Sequence, residues 1–253
     1  MKKEIRLFFT ALMFYTRIPV PAGIGHGADD LNKSTRYFPF IGWIVGGISA
    51  LTYMLASLAL PPSVAVLLSM VAGVWITGAF HEDGLADICD GFGGGWTREK
   101  ILSIMKDSRL GAFGAISLVF VLALKFSLLV SMPATSIPFA IIAGHAISRW
   151  AAVTMLYTHT YARDDQDSKA KPVAQKPDKG ILIFATLFGL LPLILFQNPL
   201  VCLGILPVYG MKMYLGRLYQ KWIGGYTGDG LGAVQQTTEV VFYLFLLVLW
   251  NYT

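Results

Sequence analysis

SVAVLLSMVAGVWITGAF, residues 63–80, runs without a break into HEDGLADICDG, residues 81–91. The first segment carries no charge and approaches the roughly 20 apolar residues that a membrane-crossing helix needs. The second brings Glu82, Asp83, Asp87 and Asp90 together with no Lys or Arg among them. Carboxylates this dense repel one another unless a cation sits between them. An apolar helix that ends in such a cluster predicts a divalent-metal site at a membrane surface.

The rest of the chain has the same character. Of 253 residues, 55% are hydrophobic and only 14% charged, against about 25% charged in ordinary soluble domains, and the mean hydropathy is +0.60. Apolar runs at 38–60, 63–80, 112–132, 136–157, 180–197, 199–211 and 233–252 predict about seven transmembrane helices. The sixth run is short, and Pro207 interrupts it. The fold class is therefore all-α, a polytopic integral membrane helical bundle. Residues 1–253 form one domain, because the polar connectors 81–111 and 158–179 are too short for a core of their own.

Charge sets the orientation. All of the 20 Lys and Arg residues except Lys125 and Arg149 fall in the N-terminal segment, 81–111, 158–179 or 212–232, while the alternate connectors hold none. By the positive-inside rule the basic set is cytoplasmic, which puts the N-terminus and the carboxylates on the cytoplasmic face and the C-terminus outside. The net charge of +5 is accounted for by topology and anionic lipid headgroups, so membrane lipid is an expected partner and nucleic acid is not. Lys2 and Lys3 followed by Leu7–Thr16 imitate a signal peptide, but Glu4, Arg6 and Arg17 spoil the imitation. Leu7, Phe8, Ala11, Leu12 and Tyr15 repeat at helical spacing, which predicts an N-terminal amphipathic helix lying in the interface. Cys89 and Cys202 stand apart and read as free thiols. Lys169–Lys179, with Pro172 and Pro177, reads as a solvated loop.

If 80–91 is helical, Asp83, Asp87 and Asp90 stand at i, i+4 and i+7 and share an arc of about 60°. They then span about 10 Å of helix, within which Asp side chains can converge on hard cations. Glu82 points about a quarter turn away. An oxygen-only donor set favours Mg²⁺, with Mn²⁺ as the alternative, over zinc. Gly93-Gly94-Gly95 reads as a hinge or lid. Thr97 is placed to cap a short helix leading to Asp107, a further carboxylate, and Arg109, whose fork suits phosphate oxygens.

A second glycine-rich stretch, Gly224-Gly225-Tyr226-Thr227-Gly228-Asp229-Gly230-Leu231-Gly232, reads as a phosphate-approach loop with no Walker lysine. Asp229 is placed to join the metal cluster across the bundle, with Gln235 and Glu239 just inside the last span. Lys125, His145 and Arg149 lie within predicted spans, where charge is costly. His145 and Arg149 share a helix face toward a polar cavity, and Lys125 pairs helices or serves function.

Three segments in order, Phe80–Gly91, Met105-Lys106-Asp107-Ser108-Arg109-Leu110-Gly111 and Gly224–Asp229, resemble the motifs of the adenosylcobinamide-GDP ribazoletransferase (cobalamin synthase) family, as do Arg17-Ile18-Pro19 and Phe38-Pro39. The resemblance extends over the whole chain. It implies a polytopic inner-membrane enzyme that, with Mg²⁺, joins adenosylcobinamide-GDP to alpha-ribazole or its 5′-phosphate with release of GMP. Asp83, Asp87, Asp90, Asp107 and Arg109 would be catalytic, and Glu82, Asp83, Asp87 and Asp90 would hold metal. His81, Gly93, Gly94, Arg109, Arg149, Thr227, Gly228 and Asp229 would touch substrate. It leaves open a homo-oligomer or an assembly with other cobalamin-pathway enzymes. Two rivals remain. Asp87-Ile88-Cys89-Asp90-Gly91 opens like the CDP-alcohol phosphotransferase signature, but Gly94-Gly95 stands where that family expects Ala-Arg. A cation-coupled transporter would place its carboxylates near mid-membrane rather than after a span.

Overall fold

In the computed structural model, which describes residues 2–25, 27–162 and 178–252, the apolar runs are helices. In chain order they are α1 (Lys2–Tyr15), α2 (Ala28–Ser34), α3 (Phe38–Ala56), α4 (Pro62–Thr77), α5 (Phe80–Gly94), α6 (Arg98–Ile104), α7 (Ala112–Val130), α8 (Ile137–Thr158), α9 (Lys179–Leu190), α10 (Ile205–Ile223) and α11 (Gly228–Tyr252). Six stretches among the described residues are long and apolar enough to cross a bilayer, and α4 with α5 qualifies as a seventh only as a pair bent by 87°. The chain is a multi-pass helical membrane protein.

Helix α8 is the centre of the bundle, with 83% of its apolar window buried, against 22% for α7 and 28% for the segment that begins with α9. Its small residues, among them Ala140, Ala143, Gly144, Ala151 and Ala152, let neighbours approach from every side. Helix α3 comes closest. A methyl group at Gly42 would stand 2.5 Å from the His145 carbonyl oxygen, and one at Gly46 would stand 2.9 Å from the Ile142 Cα, so only glycine permits this backbone contact.

Helix α1 buries Leu7, Ala11, Leu12 and Tyr15 and exposes Lys3 to Arg6, the two-sided pattern of an interfacial helix. Tyr15 stacks on Phe38 at 4.0 Å between ring centroids, fixing α1 to the start of α3. Two spans depart from the sequence reading. The run 63–80 ends at Thr77, because Gly78 and Ala79 both turn left-handed (φ 67° and 57°) and redirect the chain into α5; the remaining α4 is only about 24 Å long. The sixth span is not cut short at 211. Its 3₁₀ opening, Pro199–Gly204, continues as α10 to Ile223. Pro207 falls in the first turn of α10, where a missing N–H breaks no helical bond. Lys212, placed by its charge in a connector, is buried instead and donates to Thr158 Oγ1 at 2.7 Å.

The basic connectors meet at one end of the bundle. Arg98 at the start of α6 donates to the carbonyls of Ile223 (3.0 Å) and Ala162 (2.8 Å). Ala162 N–H donates to Tyr226 O and Tyr226 N–H to Thr160 O in a single bridge. The loop read at Lys169–Lys179 lies outside the described residues as far as 177, and Lys179 itself opens α9.

Candidate active site

Helix α5 carries the acidic motif and crosses the start of α11. The crossing is backbone on backbone: a methyl at Gly84 would sit 2.8 Å from the Asp229 carbonyl oxygen, and one at Gly232 would sit 3.1 Å from that of His81. The second glycine-rich stretch is accordingly not the open loop expected. Only Gly224 and Gly225 turn with positive φ, whereas Gly228, Gly230 and Gly232 are helical, and Gly230 and Gly232 pack closely on Tyr219 and His81. Thr227, expected to touch substrate, caps α11; its buried hydroxyl accepts from Gly230 N–H at 3.0 Å.

The predicted helix over 80–91 is present, but its carboxylates do not converge. Asp83 is exposed and Asp87 half-buried, one turn apart on the side of α5 that flanks the Asp229 contact. Asp90 continues the same stripe and is covered by the start of α7, where its carboxylate accepts from Gly111 N–H at 2.7 Å and Gly114 N–H at 2.8 Å. It caps another helix in trans, using two orphan donors and the favourable end of the α7 dipole. Glu82 points the other way, into the bundle, with 8% exposure. Among the described residues no three of His, Cys, Asp and Glu are grouped to hold one metal ion. The four-carboxylate ligand set is thus divided, leaving Asp83 and Asp87 on either side of Gly84, which packs on the Asp229 backbone.

Glu82 instead joins an interior polar network. Gln236 Nε2 donates to Glu82 Oε1 at 2.8 Å, and Lys125 Nζ donates to Gln236 Oε1 at 2.7 Å and pairs with Glu239 at 3.1 Å. Gln235 and Tyr243 also donate to Glu239, at 2.7 and 3.0 Å. Arg149, 1% exposed, donates to the His145 carbonyl at 2.9 Å and lies over the Phe38 ring. A small cavity of about 30 Å³ is lined by these groups, and Ser49 Oγ, His81 Nε2, Glu82 Oε2 and Arg149 Nε reach no protein partner; the space suits ordered water. His81 and Arg149, both expected to bind substrate, belong to this closed interior. His145 and Arg149 share a face toward this cavity as the sequence implied, and Lys125, for which the sequence left pairing and function open, pairs α7 with α11.

The remaining expected residues lie at the far end of α5. Gly93 and Gly94 are its last turn rather than a lid: Gly93 packs on the Phe113 ring and Gly94 on Ile104. Thr97 caps α6 as expected, accepting from Lys100 N–H at 3.3 Å. Asp107 and Arg109 form an exposed pair, two-pronged with a shortest distance of 2.6 Å. That pairing holds the Asp107 carboxyl down at about 2. The Gly111 and Gly114 amides were not identifiable as functional groups from side-chain chemistry, because backbone donors have no residue signature; the only signal was that the Met105–Gly111 motif ends on Gly111.

Residues 7–247 match the family model described as cobalamin-5-phosphate synthase. The chain belongs to the cobalamin-5-phosphate synthase family. Membership makes it a transferase of cobalamin synthesis. It is 47% identical over 249 residues to the adenosylcobinamide-GDP ribazoletransferase of Shewanella frigidimarina, covering 97% of this chain and 95% of that protein. The enzyme of the same name from Ralstonia nicotianae is 47% identical over 255 residues, covering 99% and 98%. No solved structure matches the chain. In this synthase the acidic motif and the Gly224–Asp229 motif are the two sides of one helix crossing.

Proposed function

We propose that this synthase joins adenosylcobinamide-GDP to alpha-ribazole or its 5′-phosphate, releasing GMP, at the crossing of α5 and α11. The observation that carries the reading is the pair Asp83, exposed, and Asp87, half-buried, one turn apart on the helix that packs through Gly84 on the Asp229 backbone, while Glu82 and Asp90 of the same helix are buried and hydrogen-bonded. Two oxygen ligands from protein, with the remainder from water and phosphate, is the habit of Mg²⁺. Asp83 and Asp87 would hold it, and the ion would supply neutralisation of diphosphate charge.

In the reaction, a ribose hydroxyl of alpha-ribazole attacks the phosphorus attached to the aminopropanol arm of the corrinoid. A phosphodiester P–O bond forms and the anhydride P–O bond to GMP breaks. The hydroxyl proton passes to one of the carboxylates at the crossing. Arg109 exchanges its bond to Asp107 for the phosphoryl oxygens as charge develops there. By the positive-inside rule the site faces the cytoplasm from the inner membrane.

The test is direct. Membranes containing the protein receive both substrates with and without Mg²⁺, and GMP and the cobamide product are read by mass. Mg²⁺-dependent formation of both supports the reading. GMP release without cobamide, or turnover indifferent to chelation, overturns the transfer or the metal respectively.

A further inference from the structure

Arg17 belongs to the Arg17-Ile18-Pro19 stretch, for which the transfer reaction leaves no role. Its backbone N–H donates to the Ile76 carbonyl at 2.7 Å, fastening the chain after α1 to the last turn of α4. Its guanidinium lies against Gly78, so close that a methyl group there would overlap Nε. Gly78 is one of the two left-handed residues at the bend between α4 and α5. Among the described residues the guanidinium has no hydrogen-bonded or ionic partner. Its charge favours the C-terminal end of α4, yet its donors remain available.

Two apolar cavities meet at this one cation. The larger, about 720 Å³, runs between α4 and α7 along Leu67, Val71, Leu122 and Phe126. The other, about 440 Å³, follows the adjacent face of α4 along Ala72 and Ile76, with Ile18 and Pro19 as its wall. Arg17 and Trp75 border both. Trp75 is 73% exposed, as a tryptophan is where hydrocarbon gives way to headgroups. A soluble phosphate compound would leave both grooves unfilled, and a purely apolar ligand would leave the cation unanswered. One ligand class answers both features, a molecule with two hydrocarbon chains joined at a phosphate.

We infer that Arg17 holds the phosphate of a diacyl phospholipid whose two chains lie in the grooves on either side of Trp75, against the joint where α4 turns into α5. The lipid is a structural ligand of the bend that aims the Asp83–Asp87 face. A cation near an anionic headgroup contributes about fivefold in affinity, and the chains contribute the rest through apolar contact.

Three probes separate the terms in native mass spectrometry of the full chain in detergent: dioleoyl-phosphatidylglycerol, dioleoylglycerol with the same chains and no phosphate, and inorganic phosphate. The wild type is expected to bind the phospholipid about fivefold more tightly than the diacylglycerol and to retain no inorganic phosphate. Arg17→Gln abolishes that preference and Arg17→Lys retains it. Ala123→Trp, which fills the α4–α7 groove from α7, weakens both lipids alike and serves as the independent test if Arg17→Gln does not fold. An unchanged preference in Arg17→Gln, or unchanged binding of both lipids in Ala123→Trp, overturns the inference. Inorganic phosphate competing with the phospholipid would reassign Arg17 to a soluble anion.

Discussion

Glu82 and Asp83 are neighbours in sequence and opposites in environment. Glu82 is 8% exposed and hydrogen-bonded to Gln236 in a closed interior, whereas Asp83 is open at the α5–α11 crossing. The two regions use the same chemistry for different ends. In the interior, Lys125 and Glu239 neutralise each other at 3.1 Å and tie α7 to α11; at the crossing, Asp83 is exposed and Asp87 half-buried one turn away, the pair proposed to meet cation and phosphate. On the proposed reading, coverage rather than residue type separates a structural carboxylate from a reactive one.

The sharpest break of this contrast is Asp87→Asn. It is expected to lower turnover about a thousandfold while membrane insertion and thermal unfolding stay as in the wild type. Assays of GMP release beside unfolding curves in detergent check it, and near-normal turnover would remove the crossing as the reactive region.

The interior should respond in the other currency, stability. Glu239→Gln leaves Lys125 buried without its counter-charge and should cost about 3 kcal/mol or more, seen as a lower unfolding midpoint. The double replacement Lys125→Met with Glu239→Gln should recover part of that loss. If Glu239→Gln unfolds normally yet abolishes turnover, the interior is part of the reactive site and the contrast fails.

Asp90 is the intermediate case, on the reactive stripe but covered. Replacing it by Asn removes a charge-assisted bond at the start of α7, for an expected loss of about 1–2 kcal/mol with the Mg²⁺ requirement unchanged. A shifted Mg²⁺ optimum in titrations of activity would return Asp90 to the ligand set.

The smallest effect belongs to the exposed pair. Arg109 depresses the Asp107 carboxyl from 3.8 to about 2, so its contribution to stability is fully present above 3.8 and fades as pH falls toward 2. Unfolding of Asp107→Asn should parallel the wild type from pH 7 to 5. Divergence there would mean that Asp107 has another partner.

Much of this was legible beforehand because the signals are local. The helical span count, the amphipathic α1, the Thr97 cap and the i, i+4 spacing of Asp83 and Asp87 depend on residues within a few turns of one another. The misreadings arose where distant segments meet. Gly93-Gly94 looked like a lid because the Phe113 and Ile104 side chains packed on them come from later helices. Gly228–Gly232 looked like a loop because their helix answers to α5. Lys212 looked like a connector because its acceptor, Thr158, lies on α8.

By itself the amino-acid sequence determined that this chain crosses a membrane several times and delivers a run of carboxylates to one end, since hydropathy, charge asymmetry and helical period are properties of the chain alone. Which carboxylate stays available was decided only in three dimensions. Helices α7 and α11 cover Asp90 and Glu82 with donors supplied more than twenty residues away, and the left-handed bend at Gly78–Ala79 sets the direction in which Asp83 and Asp87 face.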